Sequence, residues 1–171
     1  MLMFPRALAL GVLLRVADAD DAPILRRVFA STREADLIAT GLTAAMMDQL
    51  IDMQFRAQNM QFVATYPALQ RLAVVRDGTP IGRLYLDEAN DTVTLVDIAL
   101  LTDMRARGVG TAILGDLAEL AAGRRIELHV ARENPARRLY LRAGFITRDE
   151  GPVYDRMEYR AIPSVGETKP C

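Results

Sequence analysis

The chain has 171 residues, 51% of them hydrophobic, and a formal net charge of -1. That is enough apolar material for one domain with a full core, and the near-neutral balance argues against a protein that grips nucleic acid through a basic face. One cysteine, Cys171, excludes an internal disulfide framework and fits a reducing, cytoplasmic setting, and one histidine leaves no Cys/His cluster for zinc. In chain order, residues 1–9 read as a loose extension. The apolar run 7–14, with Arg6 before it and Ala17-Asp18-Ala19 after it, has the outline of an export signal. It is short, broken by Gly11, crowded by acid at the would-be cleavage point, and continuous with a strand over 12–16. No apolar stretch is long enough to span a bilayer.

Asp20 and Asp21 ahead of Pro23 open a helix whose apolar face is Ile24, Leu25, Val28 and Phe29. Thr40-Gly41 breaks the chain, and a second helix follows over 43–64, ended by Tyr66-Pro67. Helical spacing marks Met46, Met47, Met53, Phe55, Met60, Phe62 and Tyr66 as mostly core. Glu34, Asp36, Asp48 and Asp52 read as a solvated face. A hairpin comes next: strand 71–76, a turn at Asp77-Gly78-Thr79-Pro80, strand 81–86. Residues 88–91 turn into an apolar strand over 93–101. After it come the motif Arg105-Ala106-Arg107-Gly108-Val109-Gly110-Thr111, a helix to Gly123, and a strand over 125–131. A short helix from Asn134 to Arg142 ends at Gly144, and a hairpin of 145–148 with 154–159 closes the domain. The Pro-, Ser- and Gly-bearing segment 162–171 reads as a disordered tail. The whole is a single domain over 1–161, with a mixed α+β sheet of about seven strands and about four helices, and a parallel crossover around the glycine motif.

That motif is the chemically loaded part of the chain. Its glycines let the backbone approach a ligand, and the first N–H groups of the helix and its dipole favour an anion. A Walker loop requires Lys-Ser/Thr after the second glycine, which is absent. A Rossmann turn requires a third glycine where Ile113 stands. A nucleotide held in the same cradle is the weakest of the readings.

The spacing Arg-x-x-Gly-x-Gly resembles the pyrophosphate motif, Gln/Arg-x-x-Gly-x-Gly/Ala, of the GNAT superfamily of acyl-CoA N-acyltransferases. Downstream, Asn134-Pro135-Ala136-Arg137-Arg138-Leu139-Tyr140-Leu141-Arg142-Ala143-Gly144-Phe145 resembles that family's second signature, and the element order matches from about residue 14 to 160. The resemblance implies a GNAT-like fold and acetyl transfer from acetyl-CoA, with no metal, to the primary amine of a small molecule or peptide. It implies no nucleic-acid or membrane partner and admits a homodimer. A non-catalytic acyl-CoA-binding sensor or scaffold is the alternative. It assigns cofactor binding to Arg105, Ala106, Arg107, Gly108, Val109, Gly110 and Thr111. It gives pairing with the pantetheine arm to Ile98, Ala99 and Leu100, and further cofactor contacts to Asn134 and Tyr140. Tyr140 is the implied acid for the departing thiolate. The step from Asn134 to Tyr140 is one residue shorter than in many members, which weakens the role of Asn134. Asn before Pro also serves as an ordinary helix cap, and Tyr140 also has the character of a core ring against Phe145. For the general base the candidates are Asp97, on the strand before the cradle, and His129, on the strand after it. Each reads equally as a structural residue: an anchoring carboxylate in an apolar run, and a half-buried sheet histidine.

Overall fold

The computed structural model describes residues 3–33, 37–89 and 91–160. Strands β1 (Val12–Val16), β2 (Leu69–Arg76), β3 (Thr79–Ala89), β4 (Thr92–Leu100), β5 (Arg125–Ala131), β6 (Ile146–Glu150) and β7 (Tyr154–Arg160) form one sheet in the order β1-β2-β3-β4-β5-β7-β6. Every neighbouring pair is antiparallel except β4 with β5. Asp77 and Gly78 both take positive φ, 50° and 75°, the geometry of a tight hairpin turn between β2 and β3. The segment 162–171, read as a tail, lies outside the described residues, as do Glu34 and Asp36.

Alternation along the strands divides the sheet into two faces. Leu84, Leu86, Val93, Leu95, Ile126, Leu128, Val130 and Met157 point to one face. There they meet Ile113, Leu114 and Leu117 of helix α4 (Val109–Leu120) and Tyr140 of helix α5 (Ala136–Arg142). On the other face Ala99 and Leu101 pack against Val28 of helix α2 (Ala22–Ser31). Helix α3 (Ala44–Thr65) joins α2 there through the Phe29–Phe55 ring pair, centroids 5.6 Å apart.

Two local departures from the expected fold have clear causes. Residues 5–9, expected as loose, form a helix, α1 (Pro5–Ala9). The Asp116 carboxylate, fully buried on α4, accepts the N–H groups of Arg6 and Ala7 at 3.0 Å each and so caps the first turn of α1. Phe4 and Ala7 join the main core. The second departure is α3. No residue of its 22 is buried, and of the methionines expected as core, Met46, Met53 and Met60 are among the exposed large apolar side chains while Met47 is half-buried. The aromatic stripe, Phe55 and Phe62, makes the contacts with the sheet side instead.

The centre of the sheet is irregular. Leu86 pairs with Leu95 but Tyr85 pairs with Asp97, so Val96 is the extra residue of a β-bulge in β4. β4 pairs with β5 only at Thr92–Arg125, Val93–Ile126 and Thr94–Glu127. Past Thr94 the two parallel strands part, and the sheet opens into a cleft.

Candidate active site

The glycine motif lies at the open end of this cleft. Ala106 and Gly108 both take positive φ, 57° and 81°, which swings the chain around the start of α4. Among the described residues, none of the N–H groups of residues 107–111 donates to a protein acceptor; the first helical bond belongs to Ala112, whose N–H donates to the Gly108 carbonyl. Five adjacent N–H groups therefore lack a protein partner among the described residues at the positive end of a twelve-residue helix. The two glycines serve different needs. Gly108 is required by its φ, where an L side chain is strained. Gly110 sits close to its neighbour: a Cβ there would stand 3.1 Å from Leu139 Cδ2 on α5, and the end of that side chain would have to give by a few tenths of an ångström. Gly108→Ala is expected to cost about 1–2 kcal/mol through backbone strain at its positive φ, read as a lower melting temperature. Gly110→Ala should cost much less, because the helix gains from a Cβ what the contact loses.

The two arginines of the motif do not both point outward. Arg105 Nε donates to the Leu100 carbonyl at 3.0 Å, and its Nη2 donates to the carbonyl and hydroxyl of Ser31 at 3.0 and 3.1 Å. Arg105 thus ties the end of β4 to α2. Arg107 donates from Nε to the Asp103 carbonyl at 2.9 Å and remains exposed at the mouth of the cradle.

Along β4, the Leu101 N–H donates to the Ile81 carbonyl of β3. Alternation then turns the polar groups of Ala99 toward β3 and those of Ile98 and Leu100 into the cleft. Of Ile98, Ala99 and Leu100, two offer a free edge, and the Leu100 carbonyl is already held by Arg105.

Tyr140 sits under the cleft, 7% exposed, its ring 5.8 Å from Phe145. Its hydroxyl has no hydrogen-bond partner among the described residues. Burial pushes its pKa well above the ordinary phenol value, and the Asp97 charge pushes it further. The two groups therefore lie within electrostatic reach of one another, on opposite sides of the opened sheet.

Asp97 is not a lone carboxylate. Its Oδ2 accepts from Arg83 Nε at 2.5 Å, and its side chain stays 22% exposed. Arg83, on β3, is almost wholly buried. Its Nη2 donates to Gln58 Oε1 of α3 at 2.9 Å, and its guanidinium lies 5.3 to 6.0 Å from the ring centroids of Phe29, Phe55 and Tyr85. Asp97 therefore keeps Oδ1 for a visitor. Arg83 and Gln58 escaped the sequence reading. The available signal was an arginine inside one apolar strand and an aspartate inside the next.

His129 lies on the same sheet face as Asp97, on the far lip of the cleft. It is exposed and has no hydrogen-bond partner among the described residues. Asn134 Oδ1 accepts the Ala136 N–H at 2.9 Å, so its side chain caps the first turn of α5. No group of His, Cys, Asp and Glu suited to a metal ion occurs among the described residues.

A sheet opened between two parallel strands, with free strand edges inside and a helix N-terminus at the end, is a receptor for a long ligand with an anionic terminus. Solved structures share this architecture. The PaiA N-acetyltransferase of Thermoplasma acidophilum, in complex with coenzyme A, is 17% identical and superposes with a TM-score of 0.67 over 88% of this chain and 99% of its own. An acetyltransferase of Thermus thermophilus is 22% identical, with a TM-score of 0.62 over 88% and 97%. A structure of histone acetyltransferase HPA2 and related acetyltransferase from Corynebacterium glutamicum is 19% identical, with a TM-score of 0.62 over 91% and 99%. No curated protein matches the chain. The model of the acetyltransferase (GNAT) family matches residues 36–145, and the chain belongs to that family.

Proposed function

We propose that the chain transfers the acetyl group of acetyl-CoA directly to a primary amine within a ternary complex. The observation that carries this reading is the run of unpartnered N–H groups at residues 107–111 at the mouth of the β4/β5 cleft. These groups hold the pyrophosphate, with Arg107 adding charge at the rim. The cleft-facing groups of Ile98 and Leu100 pair with the amides of the pantetheine arm as an added strand does, and a β4 N–H polarises the thioester carbonyl. Asn134 adds a contact through its amide nitrogen.

The acceptor approaches from the face covered by α2 and α3, toward Asp97 Oδ1. An ammonium first loses one proton to solvent, through a water held on that oxygen. The neutral amine attacks the thioester carbon. As the C–S bond breaks, the Tyr140 O–H donates to the departing sulfur, and the proton shed by the new amide nitrogen returns to Tyr140. Thiol, amide and one released proton balance the reaction. The lone cysteine supports a cytoplasmic setting. No described helix is long and apolar enough to cross a membrane.

The test is incubation with acetyl-CoA and a panel of amines while free thiol is followed. Thiol release that depends on the amine supports the reading. Tight CoA binding with no turnover on any amine overturns it in favour of an acyl-CoA-binding module. His129, exposed and without a hydrogen-bond partner among the described residues, takes no part in this scheme. His129→Gln should change kcat/KM by less than about threefold, against the roughly 10²–10⁴ that a general base contributes, and should leave the pH–rate profile in place.

A further inference from the structure

The buried guanidinium of Arg83 divides its donors in an unusual way. Its Nε donates to Asp97 Oδ2 at 2.5 Å, and its Nη2 donates to Gln58 Oε1 at 2.9 Å. Its Nη1 is buried without a partner among the described residues, and aromatic rings surround the group. Nε and Nη2 are the parallel donors on one side of a guanidinium, and that side matches the two oxygens of a single carboxylate. Here the side is split between two residues. Asp97, on the strand beside Arg83, is the carboxylate within reach, yet it engages one donor. Its Oδ1 makes no hydrogen bond to a described residue.

We infer that Gln58 is a positioning residue: by occupying Nη2 of Arg83 it keeps Asp97 Oδ1 free for the water and amine of the proposed reaction, on which this inference rests. Competition for the guanidinium carries the argument. Arg83 is 1% exposed, so its donors must be met by protein groups, and each one left bare is costly. With Nη1 already bare, loss of the Gln58 oxygen leaves two such nitrogens. The nearest remedy is a turn of the Asp97 carboxylate that brings Oδ1 onto Nη2 and completes the two-bond pair. Both carboxylate oxygens are then committed to the cation, and none is left to hold water in the cleft. The place of Gln58 on its helix suits this task. It is half-buried, three residues after Phe55 and four before Phe62, on the same side of α3. The ring contacts that seat α3 on α2 and β3 therefore also hold the amide over Arg83.

Structure and rate are read separately in the test. A crystal structure of Gln58→Met, which keeps the length of the side chain and removes its strong acceptor, should show Asp97 Oδ1 within hydrogen-bond distance of Arg83 Nη2. The kcat of this variant should fall about tenfold or more, with the KM for acetyl-CoA unchanged. Gln58→Glu returns an oxygen to Nη2 and should recover most of that loss. In an Arg83→Met background, Gln58→Met should change kcat by less than about twofold, because the residue acts through Arg83. A side chain that merely anchors α3 would show its full effect there. An Asp97 Oδ1 that stays apart from Arg83 in the Gln58→Met structure overturns the proposal, and so does a loss of rate that persists in the Arg83→Met background. A wild type that turns over no amine defeats the proposed reaction, and the Gln58→Met structure then decides by itself whether the amide keeps Oδ1 free.

Discussion

Tyr140→Phe is expected to lower kcat by about 10²–10³-fold, within the range of a single acid catalyst, with the Kd for CoA unchanged. The substitution removes one oxygen and keeps the ring that packs on Phe145. The hydroxyl makes no hydrogen bond to a described residue, so its loss leaves no orphaned partner and little cost in stability. Rate and stability therefore separate cleanly at this position. The pH dependence gives a second check. Burial and the Asp97 charge raise the pKa of Tyr140 above the ordinary value of about 10. A raised value means the phenol keeps its proton throughout the usual assay range. Any loss of rate between pH 8 and 10 must then come from another group, and the shape of the alkaline limb should be the same in the variant. Calorimetric titration with CoA and a pH series of initial rates measure both. A variant with near-normal kcat sinks the role of Tyr140 as acid.

Asp97→Asn should be damaging in two ways. Arg83 is buried with its charge answered by Asp97. Removing the carboxylate leaves a buried cation, at a cost of about 3 kcal/mol, seen as a large fall in the denaturant midpoint. In the proposed scheme it also replaces the anionic group that holds the proton-relaying water by a neutral amide, so kcat/KM should fall by about 10² or more. Arg83→Met in the same chain removes the stranded charge and lays an apolar side chain among Phe29, Phe55 and Tyr85. The double variant should regain most of the stability and none of the activity. If it regains both, Asp97 serves the fold alone.

Much of the fold was legible because its signals are local. The turn at Asp77-Gly78 and the break at Gly108 demand backbone conformations that few residues adopt. Alternation along β5 separates Ile126, Leu128 and Val130, which are buried, from His129, which the sequence suggested as half-buried and the structure leaves exposed. The site was legible only where it is backbone: the cradle and the strand edge. The side-chain part depends on pairing across strands. Arg83 meets Asp97 only because the bulge at Val96 shifts the register of β4 by one residue, and no local pattern reports a bulge of that kind. Arg105, expected as a ligand for the pyrophosphate, donates to Ser31 and Leu100 in the folded chain, contacts between distant segments that no local pattern reports. On α3 a helical period fits either stripe. Bulk decides between them, since the aromatic rings fill the space over β3 that methionines would fill less well.

The capping of α1 by Asp116 has a consequence for the order of folding. Helix α1 leaves the ribosome before α4, and the carboxylate that caps its first turn lies 110 residues further on. A five-residue helix has no stability of its own, and closing a loop of that length costs about 4 kcal/mol in chain entropy. Helix α1 is therefore expected to form only once α4 is in place to cap it. Helix α1 thus acts as a clasp that brings Phe4 and Ala7 into the core as it fastens.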